Sequence, residues 1–157
     1  MRILVTGGTG YVGSALVPYL VQQGCEVRVF CSMHFGNPIA SLISSGVEFI
    51  KGDIRDLSLC SRAVRDIDTI IHLAGIVTDA LVDMNPAMAR AVNIIGMDGL
   101  ITKAQEAGVK RFIYASSSSV YGSSLEDATE TTPCNPETEY AQIKLDGESM
   151  LFDSHQL

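Results

Sequence analysis

Basic residues are scarce and never clustered: the 157-residue chain has 11 Lys and Arg against 18 Asp and Glu, a formal charge of −7. That excludes a surface that tracks nucleic-acid phosphates, and it means that an anionic ligand has to be held by backbone donors. The four cysteines, Cys25, Cys31, Cys60 and Cys134, form no C-x-x-C pair and have no histidine at metal-ligand spacing. Neither a zinc site nor a disulfide framework is indicated, and reduced thiols in a cytoplasm are the simpler reading. His34, His72 and His155 likewise lack metal-ligand spacing, so no metal is expected, and His72 reads as a strand-end hydrogen-bonding residue. No apolar run approaches membrane-spanning length, and glycines interrupt the N-terminal run before it could serve as a signal peptide. Repeats and low-complexity tracts are absent apart from the short run Ser116 to Ser119. What is present, 46% hydrophobic residues in a chain of this length, is enough for one folded domain over residues 1–157.

The most informative stretch is Arg2 to Gly13, where the apolar run Ile3-Leu4-Val5 enters a turn with glycines at 7, 8, 10 and 13. Val12, Ala15, Leu16, Val17 and Leu20 then supply the apolar positions of a helix. Glycines between a buried strand and a helix let the chain bend sharply and bring backbone N–H groups to a pyrophosphate, which the positive helix end stabilises. Gly8, Gly10 and Gly13 fit G-x-G-x-x-G, and Gly7, Gly10 and Gly13 fit G-x-x-G-x-x-G. An ordinary structural turn is the alternative.

The rest of the chain alternates. Strands are expected at Val27–Phe30, Val47–Ile50, Thr69–Leu73 and Arg111–Ala115, with helices near 11–23, 37–45, 57–65 and 86–107. Right-handed crossovers between parallel strands then imply an α/β fold, a doubly wound parallel (Rossmann) sheet of about five strands in the order 3-2-1-4-5. Asn135 and Pro136 read as N-cap and first residue of a last helix that runs to the low 150s, after a polar, acidic loop over 122–133. On that helix Tyr140 and Lys144 are four apart and share a face. The same spacing also describes a half-exposed surface pair.

Six motifs stand in one order: Thr6-Gly-Gly-Thr-Gly-Tyr-Val-Gly13, Gly52-Asp-Ile-Arg-Asp56, His72-Leu-Ala-Gly75, Val92-Asn93 with Gly96, Ser116-Ser-Ser-Ser-Val-Tyr-Gly122 and Tyr140-Ala-Gln-Ile-Lys144. Together they resemble the extended short-chain dehydrogenase/reductases, specifically the NAD-dependent nucleotide-sugar epimerase/dehydratase branch, over nearly the whole chain.

The resemblance implies an oxidoreductase-type enzyme that binds NAD and acts on a nucleotide sugar by transient hydride transfer. It implies cofactor contacts from Gly7, Gly10, Tyr11, Val12 and Gly13 at the pyrophosphate turn. Asp53 and Ile54 would contact adenine, Leu73, Ala74 and Gly75 would line the cofactor, and Asn93 would lie in the long fourth helix. Asp53 could instead cap the following turn, and a helical asparagine needs no function. The resemblance makes Ser117 the partner of the substrate oxygen, Tyr140 the general acid/base, and Lys144 the residue that holds the ribose hydroxyls and acts on Tyr140. Tyr121 reads as packing. It further implies a homodimer through the fourth and Tyr/Lys helices.

Two departures stand out. After the second strand NAD-preferring members carry an acidic residue, where this chain has Cys31 and Ser32, with His34 nearby and no arginine, so NADP is not excluded. The chain also stops at Leu157, before the strands and substrate region the resemblance implies, so it is expected to bind cofactor but to turn over no sugar nucleotide unless another chain supplies the rest. The alternatives are a ketone reductase of the same superfamily, a non-catalytic NAD(P)-binding module or redox sensor, and a fragment of a longer product.

Overall fold

The computed structural model describes residues 1–123 and 127–154. Part of the acidic loop and His155 therefore lie outside the described residues. Five strands, β1 (Arg2–Thr6), β2 (Glu26–Cys31), β3 (Glu48–Lys51), β4 (Thr69–His72) and β5 (Arg111–Tyr114), form one sheet in the order β3-β2-β1-β4-β5. Every neighbouring pair is parallel. Among the described residues six helices connect or flank them: α1 (Tyr11–Gln22), α2 (Leu57–Ala63), α3 (Asp79–Met84), α4 (Pro86–Arg90), α5 (Gly96–Ala107) and α6 (Glu139–Asp153).

The central strands are apolar on both faces because both faces are covered. Val5 lies in register with Val29 and Ile71, and this face packs with Ile3 and Val27 against Val17 of α1. Leu4 and its register partner Ile70 point the other way, into a core with Phe30, Ile50, Leu100 and Ala104 that α2 and α5 cover. At the edge, Ile113 of β5 is 44% exposed.

Several expected boundaries are corrected. The helix expected over 37–45 is a 3₁₀ stretch, Ala40–Ser45, with no buried residue to anchor it and with Ser44 Oγ donating to the Ser41 carbonyl. The helix over 86–107 is three segments, α4, a π-helical stretch at Ala91–Ile95 and α5. The short α3, capped by Thr78 Oγ1 accepting from Leu81 N at 3.3 Å, was not expected. The last helix starts at Glu139, not Pro136: Thr138 Oγ1 accepts from Ala141 N at 3.1 Å, whereas Asn135 N donates to the Val120 carbonyl at 2.9 Å. Two cap signals compete there, and the contact of Asn135 with the serine segment decides between them. The expected strands β4 and β5 each end one residue earlier, at His72 and Tyr114.

Candidate functional site

The carboxyl ends of β1, β4 and β5 meet on one side of the sheet, at the point where the strand order reverses. Gly7 leaves β1 with φ +69°, and a Cβ there would lie 2.7 Å from Ala74 N. Only glycine satisfies both the left-handed backbone and that approach. Gly13 presses α1 onto the turn so closely that a Cβ would lie 2.5 Å from Gly8 Cα. Gly10 N donates to the Gly7 carbonyl at 2.9 Å and Ser14 N to the Gly10 carbonyl at 2.8 Å. The helix has no side-chain cap. The N–H groups of Tyr11, Val12 and Gly13 are thus without an intrahelical acceptor, and the side chains of Tyr11 and Val12 are 97% and 58% exposed. A glycine-walled, uncapped helix N-terminus of this kind fits a pyrophosphate.

Beside it, Thr6 Oγ1 accepts from Ala74 N at 3.2 Å and lies 2.7 Å from His72 Nδ1. The hydroxyl either donates to Nδ1 or accepts from it, because an oxygen that accepts from Ala74 N keeps a second lone pair. Burial, with a further contribution from the Lys144 charge, pulls its pKa down to about 3. This agrees with the strand-end role expected for it.

Leu73, Ala74 and Gly75 follow β4, and Asn93 in the π-helical stretch holds the next residue by both backbone groups. Its Oδ1 accepts from Ile76 N and its Nδ2 donates to the Ile76 carbonyl, each at 2.8 Å, with the asparagine 5% exposed. A Cβ on Gly75 would lie 2.9 Å from that Oδ1. A π-helical turn widens the helix locally and aims the amide at the loop.

Asp53 sits beyond β3 with its carboxylate on Arg55: Oδ1 accepts from Arg55 N and Nε at 2.9 Å each, and Oδ2 from Nη2 at 2.5 Å. The Arg55 hydrogen bond holds the Asp53 carboxyl below its ordinary range. Ile54 is 7% exposed and packs in the core. The local turn read as the alternative for Asp53 is present, and the cap of α2 comes from Asp56.

Tyr140 and Lys144 lie one turn apart on α6. Lys144 is 6% exposed; its Nζ donates to the Ala115 carbonyl at 2.7 Å and stands 4.7 Å from the Tyr114 ring centre and 5.9 Å from that of Tyr140. Burial lowers its pKa to about 8. Tyr114 in turn stacks on His72 at 5.9 Å, so the β1, β4 and β5 ends and α6 are in continuous contact. Ser117 caps the 3₁₀ stretch Ser118–Tyr121, its Oγ accepting from Ser119 Oγ at 2.8 Å. Its neighbour Ser116 donates to Glu148, one turn beyond Lys144.

The sequence reading missed Thr6, Tyr114 and Glu148. The signal for Glu148 was its spacing, the third member of the series Tyr140, Lys144, Glu148. Arg90 was also missed; it bridges Glu139 at 2.6 Å and Asp146 at 3.2 Å, tying α4 to α6. Among the described residues no group of histidines, cysteines and carboxylates could hold a metal ion, and no helix is long and apolar enough to cross a membrane.

The Lys144 shift has a testable sign. Its folded pKa, about 8, is below the ordinary 10.5, so between those values the unfolded chain binds more protons and the lysine's contribution to stability rises with pH. The stability of the protein relative to Lys144→Met should therefore increase from pH 8 to pH 10, by at most about 1.4 kcal/mol per unit, in paired urea titrations. A flat difference would contradict the shift.

Comparison with known proteins places this geometry. Residues 3–157 match the model of the NAD dependent epimerase/dehydratase family. A 3 beta-hydroxysteroid dehydrogenase/Delta 5-->4-isomerase from Mycobacterium tuberculosis is 39% identical over 84% of this chain and 36% of its own length. A UDP-glucose 4-epimerase from Lactobacillus helveticus is 34% identical over 92% of this chain and 44% of its own. The structure of the Bifidobacterium longum UDP-glucose 4-epimerase, in complex with NAD+ and UDP, superposes with a TM-score of 0.90 at 30% identity, covering 99% of this chain and 49% of that one. This chain spans less than half the length of those curated relatives. With its parallel sheet, its glycine turn and a family match running from Ile3 to Leu157, the chain belongs to the NAD dependent epimerase/dehydratase family.

Proposed function

We propose that this chain binds NAD across the carboxyl ends of β1, β4 and β5 and carries a Ser117/Tyr140/Lys144 set for reversible oxidation of a nucleotide sugar, as the epimerase relatives suggest. The observation that carries the reading is the uncapped N-terminus of α1 behind the close-packed Gly7 and Gly13. Gly7, Gly10, Tyr11, Val12 and Gly13 would hold the pyrophosphate, Asp53 and Ile54 the adenine side, Leu73, Ala74, Gly75 and Asn93 the middle, and Tyr140 and Lys144 the nicotinamide ribose. When bound, the nicotinamide supplies hydride acceptance and return.

The chain's own residues handle the proton. Tyr140 takes it from the substrate hydroxyl and gives it back, while Ser117 donates a hydrogen bond to the substrate oxygen. Lys144 is pinned to the Ala115 carbonyl with its Nζ 5.9 Å from the Tyr140 ring centre. Such a cycle leaves no net reduced cofactor, which separates it from a ketone reductase.

The test is single-turnover conversion of UDP-glucose to its C4 epimer by an NAD-loaded chimera in which this chain replaces the matching 49% of the Bifidobacterium longum UDP-glucose 4-epimerase, which supplies the rest. Tyr140→Phe should slow it at least about hundredfold, far more than it weakens NAD; equal rates would remove Tyr140 from the chemistry.

Self-association belongs to the same reading. A groove of about 540 Å³ between α5 and α6, lined by Ile101, Thr102, Gln105, Ser149 and Met150, lies on the face that would pair with a second copy. A single-chain mass by light scattering at micromolar concentration would contradict it. The reading also places the protein in the cytoplasm, which fractionation of expressing cells would test.

A further inference from the structure

In glycine-turn dinucleotide sites the residue at the carboxyl end of the second strand, about twenty positions after the turn, meets the adenosine ribose; a carboxylate there accepts from the 2′-hydroxyl and repels a 2′-phosphate. In this chain that position is Cys31, the last residue of β2, and Thr9 of the glycine turn donates to its Sγ at 3.1 Å. A neutral thiol facing the turn neither holds a hydroxyl strongly nor repels an anion.

The surroundings are depleted of negative charge. No Asp or Glu occurs between Glu26 and Glu48, although the chain as a whole carries −7. The flanking carboxylates are committed, Glu26 to Arg2 at 2.9 Å and Glu48 to Arg28 at 2.6 Å. Asp53 is neutralised by Arg55 at 2.5 Å. On β3, Lys51 stands in register with Cys31, exposed, and joins none of the ion pairs among the described residues. Among the described residues, these two strand ends therefore present one ammonium outside the ion pairs and no unpaired carboxylate.

We propose that the adenosine end of this site admits a 2′-phosphate, so that NADP is a ligand of this chain alongside NAD, with Lys51 as the cationic partner and Cys31 as the uncharged residue that permits it. The inference rests on the dinucleotide reading above and departs from the NAD preference in the family's description. Lys51 acts here as a point charge on a flexible stem, so its contribution is moderate and salt-dependent.

The experiment is calorimetric titration of the 157-residue chain with NAD and with NADP, at low and high salt, for the unsubstituted protein, Lys51→Gln and Ser32→Asp. Ser32 is exposed, so its substitution introduces a carboxylate at the end of β2 without disturbing the Thr9–Cys31 contact. The two Kd values of the unsubstituted chain should agree within about tenfold. Lys51→Gln should weaken NADP about three- to fivefold and leave NAD within about twofold, and Ser32→Asp should weaken NADP at least about tenfold. Saturable NAD binding with NADP more than about a hundredfold weaker would overturn this inference and leave the dinucleotide reading intact. Equal effects of Lys51→Gln on both ligands would remove Lys51 from phosphate recognition. Failure of a folded chain to bind either would overturn both.

Discussion

Gly13→Ala is expected to cost about 2 kcal/mol of stability and to weaken NAD at least about tenfold. In an ordinary helix the change would be favourable by up to about 1 kcal/mol, because alanine has the better helix propensity. Here the new methyl group would lie 2.5 Å from Gly8 Cα and 2.6 Å from the Gly8 carbonyl carbon and oxygen. Those are backbone atoms that cannot rotate away. Either α1 lifts off the turn or the turn opens, and both move the N–H groups of Tyr11, Val12 and Gly13. Urea unfolding and NAD titration of the same preparation check the two effects together. A variant more stable than the parent, as propensity alone requires, would show that the close approach is absent.

Asn93→Leu is expected to destabilise the chain by about 3 kcal/mol, although leucine is apolar, similar in size and the better helix former. The amide is 5% exposed and satisfies both the N–H and the C=O of Ile76. Leucine leaves both backbone groups without a partner, at about 1–3 kcal/mol each, offset in part by its burial. The loop from Leu73 to Ile76 also forms the wall against Gly7, since Ala74 N lies 2.7 Å from where a Gly7 Cβ would be. The substitution should therefore speed amide exchange at Ala74 and Ile76. Unchanged stability and exchange would mean that the loop is held by other contacts.

How much of this was legible before the structure depends on where each interaction lies. Ile3-Leu4-Val5 announced a strand buried on both faces because both sheet faces are covered, Val27–Phe30 announced the second strand, and the order β3-β2-β1-β4-β5 follows the expected one. Gly7 and Gly13 were legible because steric demand at a turn leaves a mark on residue type. Asn93 was picked out by resemblance alone. Its grip on Ile76 depends on a π-helical stretch that no local pattern of Ala91–Ile95 signals. The start of α6 was misplaced because Asn135 and Thr138 are both good caps, and the choice turns on the bond from Asn135 N to the Val120 carbonyl. Lys144 was expected to act on Tyr140; its bond to the Ala115 carbonyl and its burial against Tyr114 come from β5 and could not be read from α6.

We propose that the β1–α1 turn of this chain binds a dinucleotide. Calorimetric titration of the 157-residue protein with NAD, beside Gly10→Val, tests it most directly. Gly10 N is bonded to the Gly7 carbonyl, and a Cβ there would stand 3.1 Å from that oxygen, so the valine side chain would occupy the mouth of the turn. Saturable one-site binding is expected, lost in the variant, with both proteins showing the same folded circular-dichroism spectrum. A folded protein that takes up no NAD, or a Gly10→Val variant that binds as well as the parent, would contradict it.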